Sequence, residues 1–188
     1  MLIWDITLGN SVSAEVIDSL TVDFNDNDDL PTALSLVADA YWNHAFRKID
    51  EGDPNGANEC FQMAITQWKR VIDRFPRIPQ VTAGAYYFSG CCYERLGQTD
   101  KALEHYLVVV ERWPDYEYAW SAQFSIACCL EEMTRAKKIP FAEGVEKIKE
   151  ACRKLLASYP DCMAAGSAQN MLGQWERIKQ NTGEKNEF

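Results

Sequence analysis

The fold is decided by the stretch Ala85-Tyr86-Tyr87-Phe88-Ser89-Gly90-Cys91-Cys92-Tyr93 and its continuation, Leu96-Gly97-Gln98-Thr99-Asp100-Lys101-Ala102. Small and aromatic residues recur in it at helical spacing, which predicts one helix on each side of Gly97. Gly97 can adopt the left-handed conformation that ends a helix, and Thr99 can cap the next one. Pro114 ends the second helix, because proline disfavours a helical residue before it. The stretch therefore predicts a helix hairpin, in which Gly90 and Ala102 are small enough for two helix backbones to approach.

From Ala83 to Tyr116, this unit resembles the tetratricopeptide repeat, a helix hairpin of about 34 residues. The family has a large, a small and an aromatic residue in the first helix, followed by Gly, Ala, an aromatic residue and Pro. All of these places match, at Tyr86, Gly90, Tyr93, Gly97, Ala102, Tyr106 and Pro114. Ser89 and Val109 depart from the family's usual Leu and Ala. The aromatic-Pro ending further resembles a bacterial branch seen in a barrel-assembly lipoprotein and in the Tol-Pal coordinator.

Weaker copies of the unit flank it on both sides. Upstream, the same spacing of small and aromatic residues recurs at Ala33, Ala38 and Tyr41. Downstream, a third unit counted from residue 117 has Phe124 at its small position, which predicts a wider helix separation there. Aromatic-Pro pairs end the three units, at Pro76, Pro114 and Pro160.

The predicted fold class is all-α, a right-handed α-solenoid of about three hairpins with an extra N-terminal helix and a C-terminal capping helix. The array spans residues 31–180, with units at about 31–76, 83–116 and 117–160 and the capping helix at 162–179. Residues 1–30 are predicted to be an acidic segment with one helix, about Ser13–Phe24, and residues 181–188 a frayed tail. The hairpin helices are predicted at about 31–48, 55–75, 80–96, 100–113, 116–136 and 141–158. Asp53-Pro54 is typical of a capped helix start.

The charge of the chain is concentrated near its beginning. Residues 1–46 contain eight acids and no Lys or Arg, so they carry nearly all of the net charge of −9. Such a field repels phosphate backbones and anionic lipid heads, which argues against nucleic acid and membranes as partners and favours a neutral or basic protein segment. The alternative is an acidic end that only aids solubility. No apolar run approaches the roughly 20 residues that span a bilayer.

The sequence contains no pattern typical of catalysis, so we expect neither enzyme activity nor a cofactor or metal. Seven cysteines without a C-x-x-C spacing favour small buried thiols in a reducing compartment, hence the cytoplasm, with the bacterial periplasm as the alternative. Cys91 and Cys128 could instead form a soft metal site or a redox pair. His44 and His105 lack metal-ligand spacing, and the acidic residues 23–29 lack the Gly and Glu of a calcium loop.

The resemblance implies that the first helix of each pair lines a concave groove that binds a protein segment. Its ligand-contacting positions predict a site that consists of Asp39, Trp42, Tyr87, Cys91, Glu94, Tyr118, Ser121 and Ser125. The basic clamp that grips acidic C-terminal peptides in some relatives is missing. We therefore expect a non-catalytic adaptor or scaffold. The alternative is a structural self-assembly module, forming homo-oligomers, or a domain of a larger envelope-associated complex. Trp42 could instead pack against a neighbouring unit.

Overall fold

The computed structural model describes residues 30–183, with side chains for 31–178. This part of the chain contains seven helices and no strand, which confirms the all-α fold class. They are α1 (Leu30–Asp50), α2 (Pro54–Arg74), α3 (Pro79–Arg95), α4 (Thr99–Arg112), α5 (Ala119–Arg135), α6 (Phe141–Ser158) and α7 (Ala165–Gly183). They fall into two compact units, of which the first ends at Gln98 and the second begins at Thr99. The predicted N-terminal helix at Ser13–Phe24 lies outside the described residues.

Helix starts follow the sequence signals closely, with small shifts. Asp53 caps α2, since its Oδ1 accepts a hydrogen bond from the backbone N–H of Gly56 at 2.9 Å, and Pro54 occupies the first helical position. α4 begins at Thr99 itself, whose hydroxyl donates to Glu132 Oε1 at 2.9 Å. α7 begins at Ala165, three residues later than predicted, and it continues to Gly183 beyond the predicted end at 179.

The first helices of the three pairs, α1, α3 and α5, end in the same way. After each, one residue has a positive φ: 76° at Gly52, 67° at Gly97 and 59° at Lys137. In each case the N–H of this residue and that of the next bond back to carbonyls of the last turn; for example, Gly97 N donates to Glu94 O and Gln98 N to Tyr93 O. This is the Schellman motif, which satisfies the free carbonyls at a helix end. Lys137 therefore occupies a position that normally favours glycine.

The second helices, α2, α4 and α6, also share one ending. Each stops before an aromatic-Pro pair, and the aromatic residue's carbonyl accepts the N–H three residues on: Ile78 to Phe75, Tyr116 to Trp113 and Cys162 to Tyr159. Proline fits the second position of such a turn because its ring fixes φ there. The same two endings thus alternate along the chain, and they support three helix pairs.

Aromatic side chains fill the core of the first unit. Trp42 of α1 meets Phe61 of α2 with ring centroids 5.5 Å apart, and Trp68 of α2 stacks on Phe88 of α3 at 5.6 Å. Phe61 and Trp68 are almost fully buried. Arg95 lies over the ring of Phe46 at 5.3 Å, a cation–π contact at the edge of the cluster.

The core of the second unit combines aliphatic and small side chains of α6, namely Ile148, Leu155 and Ala151, with the buried rings of Tyr106 and Trp175. α5 and α6 approach closely, since a Cβ added at Gly144 would overlap the Thr134 side chain. A polar contact ties α7 to this unit: the indole N–H of Trp175 donates to Glu131 Oε1 at 3.2 Å.

Candidate binding face on the first helices

The eight predicted site residues all lie on, or at the start of, the first helices. Asp39 and Trp42 belong to α1, and Tyr87, Cys91 and Glu94 belong to α3. Tyr118 is the N-cap residue of α5, and Ser121 and Ser125 lie in its first two turns. Five of them fall in the first unit, and we call these five the first-helix face. Tyr118, Ser121 and Ser125 fall in the second unit and are described separately.

Trp42 is held inside the first unit. Its ring makes edge contacts with Phe46, Phe61 and Phe88 at centroid distances of 5.0, 5.5 and 6.5 Å. Edge-to-face geometry of this kind stabilises an aromatic core beyond the area it buries. The ring is only half-buried, however, so one side of Trp42 remains accessible. The packing contacts favour a structural role for Trp42 over that of a ligand anchor.

Asp39 is a partly buried carboxylate on this face, and its pKa is shifted. Burial raises the pKa of its carboxyl from 3.8 to about 6. No charged group of the helices packed around it shifts this pKa, and no ion pair or hydrogen bond of the carboxyl is found in the described residues 31–178. One turn before it, the Ser35 hydroxyl is already engaged, because it donates to the Pro31 carbonyl at 2.9 Å. A partly buried carboxylate without a cation is costly to a folded chain.

The α3 residues of the face differ in exposure. The ring of Tyr87 is half-buried and makes an edge contact with Phe88 at 5.1 Å. Since Trp42 also contacts Phe88, this one ring lies against site residues of both α1 and α3. Cys91 is half-buried, and Glu94 is exposed on the last turn of α3.

In the second unit, Tyr118 is the accessible aromatic residue among the predicted site residues. It is 36% exposed, and its ring lies 5.6 Å from that of the buried Tyr116. Ser121 and Ser125 follow on α5, one turn apart, and both are half-buried. A tyrosine with an open edge beside hydroxyl groups is suited to contacts that combine packing with hydrogen bonding.

The burial pattern of α5 sets a register that differs from counting the third unit from residue 117. Buried positions of α3 recur in α5 after 37 residues: Thr82, Ala85, Ser89, Gly90 and Cys92 correspond to Ala119, Ala122, Ile126, Ala127 and Cys129. Ala127, and not Phe124, therefore occupies the small position. Phe124, Cys128 and Glu131 then correspond to Tyr87, Cys91 and Glu94. Two features of the sequence could have predicted this register: the spacing of Ala122 and Ala127, and the recurrence of the Cys-Cys pair.

The structure places the remaining candidate residues in ordinary settings. All seven cysteines lie in the described part of the chain, and no disulfide bond joins any of them there. His44 Nδ1 lies 3.1 Å from Arg47 Nη2, and burial together with the charge of Arg47 lowers the pKa of His44. Within residues 30–183, no cluster of three or more His, Cys, Asp or Glu residues is arranged to hold a metal ion. No helix in this range is both long and apolar enough to cross a membrane.

Alternating helix ends and buried small residues define a protein built from repeated helix hairpins. Residues 85–116 match the family model described as tetratricopeptide repeat. The chain thus carries a repeat of the tetratricopeptide repeat family, which confirms the recognition made from residues 83–116. The resemblance to a bacterial branch stays a prediction. A search of the curated proteins gave no match. Tetratricopeptide repeats generally mediate protein–protein interaction and are typically non-catalytic.

Proposed function

We propose that this protein is a non-catalytic adaptor that binds a neutral or basic segment of another protein on its first-helix face. Asp39 carries the proposal. Its carboxyl is partly buried, lacks a cation among the described side chains and has a raised pKa, so ionising it destabilises the unbound protein. A lysine or arginine of a partner would supply the missing charge and gain a partly desolvated ion pair.

The rest of the face offers contacts that suit such a segment. Tyr87 presents a partly open ring, and Glu94 adds a second carboxylate on α3. Tyrosine is enriched among the residues that dominate binding energy at protein interfaces. Replacing Tyr87 with alanine should weaken the binding of the partner by about 1–3 kcal/mol without unfolding the protein.

A display selection tests the proposal without a known partner. Random peptides are selected near neutral pH on the wild-type protein and on the Asp39→Asn variant, and affinities are measured for the selected peptides. We expect wild-type selection to fix one Lys or Arg next to apolar residues, and Asp39→Asn to lose that preference and about tenfold in affinity. Lowering the pH through about 6 should weaken binding to the wild type, because Asp39 becomes protonated.

Asp73→Asn is the matched control, since it removes the same charge from an exposed residue of α2. Its peptide preference should equal that of the wild type. If Asp39→Asn and Tyr87→Ala both leave the affinities of selected peptides unchanged, the first-helix face is not the binding site.

A further inference from the structure

A second surface lies in the second unit, on the side formed by the second helices. A groove of about 560 Å³ runs between α4 and α6 over α5. We call it the second-helix groove and define it by Leu103 and Leu107 of α4, Ile126 and Leu130 of α5, and Ala151 and Lys154 of α6. Leu107 is 37% exposed on its α4 wall.

The groove stays open beside α6 because Ala151 is small and because Gln123 is held by a hydrogen bond to α6. On the α6 wall, Ala151 presents only a methyl group. The Gln123 side-chain amide of α5 donates a hydrogen bond to the Ala151 carbonyl at 3.1 Å, which holds the Gln123 side chain against α6. At one end, the Tyr159 hydroxyl donates to the Pro114 carbonyl at 2.8 Å and closes the space between the helix ends. The result is a channel with an apolar floor and a defined stop.

The dimensions of the groove suit a short helix. Lys147 and Ser158 both line the α6 wall, and at 1.5 Å per residue they are about 16 Å apart, or about three helical turns. Leu103, Leu107 and Val110 line the α4 wall at one-turn intervals. Side chains in such rows form ridges between which the ridges of another helix can pack. An amphipathic helix docks in this way, through apolar residues at positions i, i+4 and i+7.

The charged residues of the two walls determine which peptide helices would fit the groove. On α6, Lys147 pairs with Glu143 at 2.6 Å and Lys154 with Glu150 at 2.9 Å, so the exposed row of this wall is neutral as a whole. On α4, Glu111 lines the groove, and no ion pair of its carboxylate is found among the side chains of residues 31–178. An occupant with a basic residue beside α4 is therefore complementary. The acid-rich residues 1–46, which lack Lys and Arg, are a poor match.

We propose that the second-helix groove binds an amphipathic helix of about three turns from a partner protein, with apolar anchors toward Leu107 and Leu130 and a basic residue toward Glu111. This inference does not depend on the first-helix face.

A helix-biased display library of about 11 residues, three turns long, is the probe. Peptides selected on the wild type should carry Leu-type residues at i, i+4 and i+7 with a Lys or Arg on one flank. Their affinity should fall at least about tenfold for Leu107→Arg and stay unchanged for Met163→Arg, which alters an equally apolar residue that is 86% exposed and does not line the groove. Glu111→Lys should shift the preferred flank residue from basic to acidic.

Three outcomes would overturn the inference. Selected peptides could bind Leu107→Arg as tightly as the wild type, or Glu111→Lys could leave the flank preference unchanged. The groove could also hold this chain itself. In that case light scattering over a concentration series would show self-association that Leu107→Arg abolishes, or a peptide of residues 13–24 would displace the selected helices. Far-UV circular dichroism and thermal unfolding of each variant establish that it is folded.

Discussion

The two units solve the same packing problem with different side chains. In the first unit, Trp42, Phe61, Trp68 and Phe88 fill the space between the helices. In the second, Tyr106 and Trp175 are also buried, but Ala151 and Gln123 line a groove of about 560 Å³ that remains between α4 and α6. Both units use the same helix endings, so the difference does not come from the backbone plan. It shows that side-chain volume decides whether neighbouring repeat helices close a core or leave a docking space.

The largest expected loss of stability comes from truncating a buried aromatic side chain of the first unit. Phe61→Ala should lower the free energy of unfolding by about 3–5 kcal/mol, because it deletes a buried ring and leaves a cavity among Trp42 and Phe46. Leu107→Ala, on the groove wall, should cost less than about 1 kcal/mol, since this side chain is already 37% exposed. Urea denaturation measures both values. Equal losses would mean that the groove is packed in solution and would undo the comparison.

A smaller effect is expected where the second unit is tightly packed. Gly144→Ala should destabilise by about 1–3 kcal/mol, because the added methyl overlaps Thr134 at the α5–α6 crossing. Gly173→Ala is the matched change on α7, where the nearest atom is the flexible end of Arg177 at 4.0 Å. It should stabilise by up to about 1 kcal/mol through helix propensity. Thermal unfolding of both variants would contradict this if Gly144→Ala were neutral.

The Asp39 carboxyl should give the first unit a pH dependence of its own. The folded state keeps its proton up to about pH 6, whereas the unfolded chain releases it near 3.8, so the free energy of unfolding falls as pH rises between these values. Two pKa units correspond to about 3 kcal/mol, and partial solvation reduces this to about 1–2 kcal/mol. Asp39→Asn should therefore be more stable than the wild type by that amount near neutral pH. Urea titrations at several pH values measure the difference, which should vanish below pH 4.

The smallest effect concerns two equivalent helix ends, one in each unit. Gly97 and Lys137 both have positive φ, a conformation that costs a side-chain-bearing residue about 1–2 kcal/mol. Lys137→Gly should stabilise by about 1 kcal/mol and Gly97→Ala should destabilise by a similar amount. Opposite signs in denaturant titrations would support the shared Schellman geometry, and a loss of stability in Lys137→Gly would contradict it.

Local signals predicted the described fold well, because each depends on a few neighbouring residues. Asp53-Pro54, Gly97 and the aromatic-Pro pairs act within one turn of the chain, and all lie where the sequence placed them. Lys137 could not be foreseen as a left-handed residue, since nothing in lysine itself favours that conformation. The end of α5 was nevertheless predicted to within one residue, since the helix ends at Arg135 and the prediction was 136. What was wrong was the register of the third unit, in which Ala127 and not Phe124 occupies the small position.

The candidate sites were predicted less completely, because they depend on contacts between helices. The sequence named Asp39 but could not show that it lacks a cation or that burial raises its pKa. It offered Trp42 as a surface aromatic, whereas its contacts are mainly with Phe46, Phe61 and Phe88. No sequence pattern predicted the second-helix groove, since the groove forms where the side chains of three helices leave space unfilled. The first-helix face itself stays a prediction until binding is measured.

Each unit contains a fully buried thiol whose chemical reactivity depends on the local opening of that unit. Cys92 in the first unit and Cys152 in the second are completely shielded from solvent. Burial raises the pKa of both, to about 11 for Cys152 and further for Cys92, so neither reacts readily while its unit stays closed. The rate at which an alkylating reagent modifies each thiol would then follow the local opening of that unit. Mass spectrometry of the two alkylated peptides would thus measure the opening of each unit separately.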